Sequence, residues 1–153
     1  MIGLGLGIVG AAVVVFGAVL LWVRCRLAVV TVRGVSMAPT LRAGERVLVR
    51  RAPGAAVRTG QLVVFQRPRW SPEHGPDARW LIKRVAAAAG EPVPADVRAA
   101  VGDHDGRVPP GFLVALGDNA AHSSDSRQWG YVRTDQVLGV VRRSVGAGAV
   151  PGQ

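Results

Sequence analysis

The sequence predicts a mostly β protein, a compact antiparallel sheet of barrel-like form preceded by one N-terminal transmembrane helix. Three observations carry that expectation. Ile2 to Val23 is a run of 22 residues without a charge, enough for a helix of about 33 Å against a hydrocarbon core of roughly 30 Å. After it come short β-branched runs separated by Gly and Pro. No later stretch keeps a long helical period.

The anchor is assigned to residues 2–23. A cleaved leader has a basic start and a shorter apolar core. Here no Lys or Arg precedes Arg24, and Trp22 with Arg24, Cys25 and Arg26 reads as an interfacial anchor. Orientation is in conflict, because Arg24 and Arg26 favour a cytoplasmic domain by the positive-inside count. Ala28–Arg33, Arg46–Arg50, Gln61–Phe65, Trp80–Val85, Phe112–Leu116 and Val137–Arg142 have strand length and composition. Turns are expected at Ala43–Glu45, Thr59–Gly60, Pro109–Gly111 and Gly117–Asn119. Val85–Gly90 and Ala95–Val101 are Ala-rich and read as helical turns, while Pro68–Ala78 and Gly102–Pro110 read as loops. The β domain is set at 28–145 and a disordered tail at 146–153.

With 19 basic and 10 acidic residues in 153, the formal net charge is +9, which favours an anionic lipid surface. The basic residues are scattered, and no helix-turn-helix, zinc-finger or RNP pattern is present, so no nucleic-acid partner is expected. Cys25, the single cysteine, excludes an intrachain disulfide and a thiolate metal site. No cofactor or metal is expected, and the oligomeric state is not legible.

Eighteen of the basic residues are arginines, and Lys83 is the only lysine. A guanidinium stays charged in a protein, whereas a desolvated ammonium can reach a working pKa near neutrality. On a strand Lys83 shares its face with Leu81 and Val85, while Ile82 and Arg84 point the other way. A lysine whose stem packs on the sheet and whose head reaches water would read the same. Ser36 stands in Gly34-Val35-Ser36-Met37-Ala38-Pro39-Thr40 after a strand, although an ordinary Ser/Pro turn has the same composition. The third cluster, Gly117 to Gly130, is polar and turn-rich directly after a hydrophobic strand, and Asp125 with Arg127 could pair to fix it.

Together these clusters resemble the type I signal peptidase (leader peptidase) family, membrane-anchored Ser/Lys endopeptidases. The nucleophile motif S-M-x-P-T stands as Ser36 to Thr40, and the lysine motif as Lys83-Arg84-Val85 followed by Gly90-Glu91. The last box, G-D-N-x-x-x-S-x-D-S-R-x-W-G, is matched from Gly117 to Gly130 at every fixed position. The resemblance implies Ser36 as nucleophile, Lys83 as general base and Ser123 as the hydroxyl that orients the amine. It also implies structural roles for Asp118, Asn119, Asp125, Ser126, Arg127 and Arg84. The Ser36 backbone N–H would be one oxyanion donor. Some members supply a second from a serine two residues before the nucleophile, and here that position is Gly34. A peptide added to strand edges would meet Val32, Gly34, Val35, Met37, Pro39, Leu81 and Ile82.

The implied function is membrane-bound removal of signal peptides from exported preproteins, with the domain outside the cytoplasm and the bilayer as a second partner. Gly117 follows Lys83 by only 34 positions, so the extra β subdomain of larger members is largely missing. Alternatives are a dedicated maturation protease for one partner, a self-cleaving repressor domain, and an inactive membrane-tethered peptide-binding module. The span and the lack of a DNA-binding segment disfavour the repressor. A His-based triad from His74, His104 or His122 is disfavoured because two lie in expected loops and the third at a variable position of the box.

Overall fold

Among the described residues seven strands pair in the order β1-β2-β7-β3-β4-β5-β6, and every neighbouring pair is antiparallel. They are β1 (Leu27–Thr31), β2 (Glu45–Arg51), β3 (Leu62–Gln66), β4 (Trp80–Ala87), β5 (Phe112–Leu116), β6 (Val132–Arg133) and β7 (Val137–Ala147). The computed structural model describes residues 2–67, 79–102 and 105–147. The whole of the expected loop Pro68–Ala78 with His74, part of the second loop with His104, and residues 148–153 therefore lie outside the described residues. Helix α1 (Ile2–Arg26) passes directly into β1. Among the described residues no helix is long and apolar enough to cross a membrane.

The strands expected from β-branched runs form where they were read, Phe112–Leu116 with the same ends and the others with ends shifted by at most five residues. Two differences have physical causes. Ala86 and Ala87 continue β4, and Ala87 pairs with Val114 of β5 after a register shift at Ala86, because the partner strand holds the segment extended and overrides the helical preference of Ala. The two-residue β6, held to Phe112 and Leu113 of β5, carries too few residues to show a period. Strand β7 continues through Gly146 and Ala147, two residues into the segment expected as tail. Of the Ala-rich segment 95–101, only Arg98–Val101 becomes a helix, α2.

The central strands are buried on both faces, so they read as nearly continuous apolar runs. Val63, Phe65 and Val85 pack with Leu113, Ala115, Trp129 and Val140 on one face. Val64 and Ile82 pack on the other with Val32, Met37, Leu41, Val47 and Val49. A third cluster, Ala87, Val93, Val97, Val108 and Val114, fills the space beneath the connection from β4 to β5. Each such side chain contributes about 1.5–3 kcal/mol when fully buried.

Candidate active site

Lys83 belongs to the face of β4 that carries Leu81 and Val85, as alternation along the strand requires. It is 1 % exposed, so its amine has lost its water. Its Nζ donates to Ser123 Oγ at 2.9 Å. That hydroxyl has one proton, and it is given to Asp125 Oδ2 at 2.7 Å. Ser123 can therefore only accept from the amine.

Asp125 is fully buried and organises the box around itself. Its carboxylate accepts from the Gly117 N–H at 2.8 Å, from Ser123, and from the Arg127 side chain at 2.9 and 2.6 Å. It also caps helix α3 (Ser126–Trp129), with Gln128 closing a capping box back onto the Asp125 N–H. Burial, the largest single influence, pushes the Asp125 carboxyl up. The Arg127 guanidinium, the Gly117 N–H and the Ser123 hydroxyl together outweigh it and hold the group below the usual carboxylate range. Buried Ser126 accepts from the Ala115 N–H at 2.9 Å, tying α3 to β5.

The Ser36 loop is pinned from the same box. Asn119 donates its backbone N–H to Ser36 O at 3.0 Å and its side-chain amide to Val35 O at 3.1 Å. Thr40 donates to Asp118, whose carboxylate is gripped by Arg84 at 2.8 and 2.7 Å. Arg84 also donates to Gly60 O. The side-chain hydrogen bond from Arg84 holds the Asp118 carboxyl below its ordinary value, against the opposing effect of burial. Arg84 thus serves Asp118, 34 positions away in sequence, rather than the Asp125–Arg127 pair.

Gly117 stands where these parts meet. A Cβ there would lie 2.1 Å from Ser123 Oγ and 2.7 Å from Ser36 O. The Ser123 hydroxyl and the backbone of Ser36 therefore flank one point, and only glycine leaves room between them. The sequence reading named the flanking residues but treated Gly117 as a turn; its close packing comes from contacts 81 and 6 positions away.

Other expected residues divide clearly. Val35 is 51 % exposed and Gly34 and Pro39 are exposed, Gly34 with φ +74. Val32, Met37 and Ile82 are instead buried in the core. The Met37 side chain, expected toward a bound peptide, packs among core residues at 2 % exposure, which fixes the turn that carries Ser36. Leu81 is half-buried. Trp80 to Lys83 pair with β3, while β5 joins β4 only from Arg84 onward. That leaves the first half of β4 with an edge unpaired among the described strands. His122 is exposed and meets the Asn119 side chain at 3.4 Å. Trp129 was not singled out from sequence, yet its ring lies against the Lys83 amine, 5.8 Å from Nζ to centroid.

Comparison with known proteins follows the same residues. The family model described as "Signal peptidase, peptidase S26" matches residues 6–99 and 94–145. The chain is 29% identical over 126 residues to "Probable signal peptidase I-1" of Synechocystis sp., covering 68% of this chain and 63% of that protein. It is 34% identical over 103 residues to "Mitochondrial inner membrane protease subunit 1" of Schizosaccharomyces pombe, covering 65% of this chain and 60% of that protein. A stretch of 35 residues, 23% of this chain and 19% of the relative, is 51% identical to "Signal peptidase I" of Bacillus caldolyticus. The chain thus spans less than two thirds of the length of these relatives. With the family match running almost end to end over an antiparallel sheet, this chain belongs to the signal peptidase, peptidase S26 family.

Proposed function

We propose that the protein is a membrane-anchored serine endopeptidase that removes signal peptides from exported preproteins by a Ser36/Lys83 dyad. The observation that supports it most is the hydrogen-bond direction at the amine. Because Ser123 spends its proton on Asp125, it takes an N–H from Lys83. A neutral amine so engaged keeps its lone pair for another partner. Burial favours that neutral form.

In this reading Lys83 Nζ accepts the proton of Ser36 Oγ as the oxygen attacks the scissile carbonyl. The tetrahedral intermediate collapses to a Ser36 ester, and the Lys83 ammonium returns the proton to the departing amine. Lys83 then deprotonates a water that hydrolyses the ester, restoring Ser36. The Ser36 backbone N–H faces the developing oxyanion. The open edge of β4 from Trp80 to Lys83 suits an extended peptide added as a strand, with exposed Gly34 and Val35 opposite it.

Residues 2–23 act as a single-pass anchor. The exposed apolar side chains of α1, such as Phe16 at 66 % and Leu21 at 65 %, suit lipid. The catalytic domain lies outside the cytoplasm, where preprotein cleavage sites emerge, despite Arg24 and Arg26. A C-terminal reporter fusion decides that orientation.

Ser36→Ala, Lys83→Ala and Lys83→Arg each abolish cleavage of a preprotein in detergent, and in Ser36→Ala, at a half-buried position, the unfolding transition stays within about 1 kcal/mol. Arginine fails because a guanidinium accepts no proton at neutral pH. Substantial turnover by Lys83→Arg would falsify the general-base role. Comparing a generic Ala-x-Ala preprotein with one encoded beside this gene separates a general peptidase from a dedicated one.

A further inference from the structure

We propose that Trp129 is a positioning residue that sets the basicity of Lys83, its indole face favouring the ammonium and so offsetting part of the desolvation of the amine. This rests on the Ser/Lys reading above. The Lys83 Nζ lies over the Trp129 ring at 5.8 Å from the centroid, within the reach of a cation–π contact. The ring is held in place. It is 7 % exposed, its Nε1–H donates to Ser124 Oγ at 2.7 Å, and Phe65 meets it edge-on with centroids 6.3 Å apart.

The need for such a contact follows from the burial of Lys83. A desolvated amine is driven toward its neutral form. A base whose pKa falls far below the working pH is uncharged but takes a proton weakly. An aromatic face attracts the ammonium and not the amine, so it restores basicity without admitting water. Charged groups near the amine are themselves compensated. From α3, Asp125 reaches Lys83 through Ser123, but Arg127 answers that carboxylate at 2.6 Å. On β4 itself, Arg84 points to the opposite face and is closed by Asp118. From β3, the residue paired with Lys83 is Val63, which carries no charge.

The local sequence links both contacts. Asp125 caps the four-residue helix that ends at Trp129 and also holds the hydroxyl of Ser123. One short segment therefore presents the acceptor and the π-face to the same amine.

The test uses the fact that Lys83 is the only lysine. Lysine labelled with 13C at Cε gives the full-length protein in detergent one lysine resonance, whose shift against pH reports the amine directly. Wild-type protein is titrated with ordinary tryptophan, with 5-fluorotryptophan and with 5,6,7-trifluorotryptophan, which drain the ring of negative charge while keeping its shape. The Lys83 pKa falls step by step, by about 0.5–1.5 pH units in all. In W129F the fall is smaller, and fluorinating the remaining tryptophans moves the pKa no further. The apparent pKa of kcat/KM follows the resonance. An unchanged titration in the trifluorotryptophan protein overturns the proposal, as does a shift that persists undiminished in W129F. Because the resonance needs no turnover, a graded fall in a chain that cleaves nothing keeps this inference and removes the proteolytic one. Cleavage with an indifferent pKa does the reverse.

Discussion

Replacing Gly117 by alanine adds one methyl group at the point where the candidate site closes. The new carbon would lie 2.1 Å from Ser123 Oγ, 2.5 Å from Ser123 Cβ and 2.7 Å from the Ser36 carbonyl oxygen. Ordinary contact begins near 3.4 Å, so something must move by the order of 1 Å. Rotating Ser123 away gives up its bonds to Lys83 and Asp125. Shifting Ser36 gives up the bond from the Asn119 N–H and displaces the proposed nucleophile. Overpacking costs about 1–3 kcal/mol and each broken hydrogen bond about 1 more, so Gly117→Ala is destabilised by about 2–4 kcal/mol. A displacement of about 1 Å at a reacting group costs on the order of 100-fold in rate. Urea unfolding followed by tryptophan fluorescence gives the first quantity, and initial rates of preprotein cleavage give the second. Gly111→Ala is the control: Gly111 has φ +82 and nothing within 4 Å of an added Cβ. It loses about 1 kcal/mol from backbone strain and retains full activity. A Gly117→Ala protein as active as Gly111→Ala would refute the close packing of Ser36 against Ser123.

Ser123→Ala removes the hydroxyl that accepts from the Lys83 amine and donates to Asp125; kcat falls about 10- to 100-fold with KM little changed, read from steady-state kinetics. Asp125 has its carboxyl held low in the folded chain, so its contribution is present above the unfolded pKa of about 3.9 and is lost as pH falls through the lower folded value. Tm measured from pH 6 to pH 2 drops steeply below about pH 4, and Asp125→Asn, already deprived of that contribution, drops less. Met37→Ala, which empties a core position, costs about 2–5 kcal/mol in urea unfolding. Its preference among substrates differing before the cleavage site is unchanged, because the side chain faces the core.

The chemistry-bearing residues were legible in the chain because their signals are local. Lys83 stood out as a lone lysine with apolar neighbours at i±2, and the alternation of a strand placed it on the Val85 face correctly. Asp125 and Arg127 are two positions apart, close enough for their pairing to be read before any fold was known. The strands followed from β-branched runs between turn residues. Strand β6 escaped because two residues cannot display a period, and Ala86-Ala87 misled because alanine's helical preference yields to a partner strand.

Contacts across long sequence separations were not legible. Arg84 closing on Asp118, Asn119 pinning the Ser36 loop and Trp129 lying over Lys83 join residues 34, 83 and 46 positions apart. The same holds for Met37, whose apolar side chain suits a peptide pocket as well as a core until its neighbours are known. Residue type and spacing determined which groups could carry the proposed Ser/Lys chemistry, since side-chain identity and strand alternation are properties of short segments. Tertiary structure alone decided which groups hold them in register, because that depends on how the sheet curls and which side chains it brings to one face.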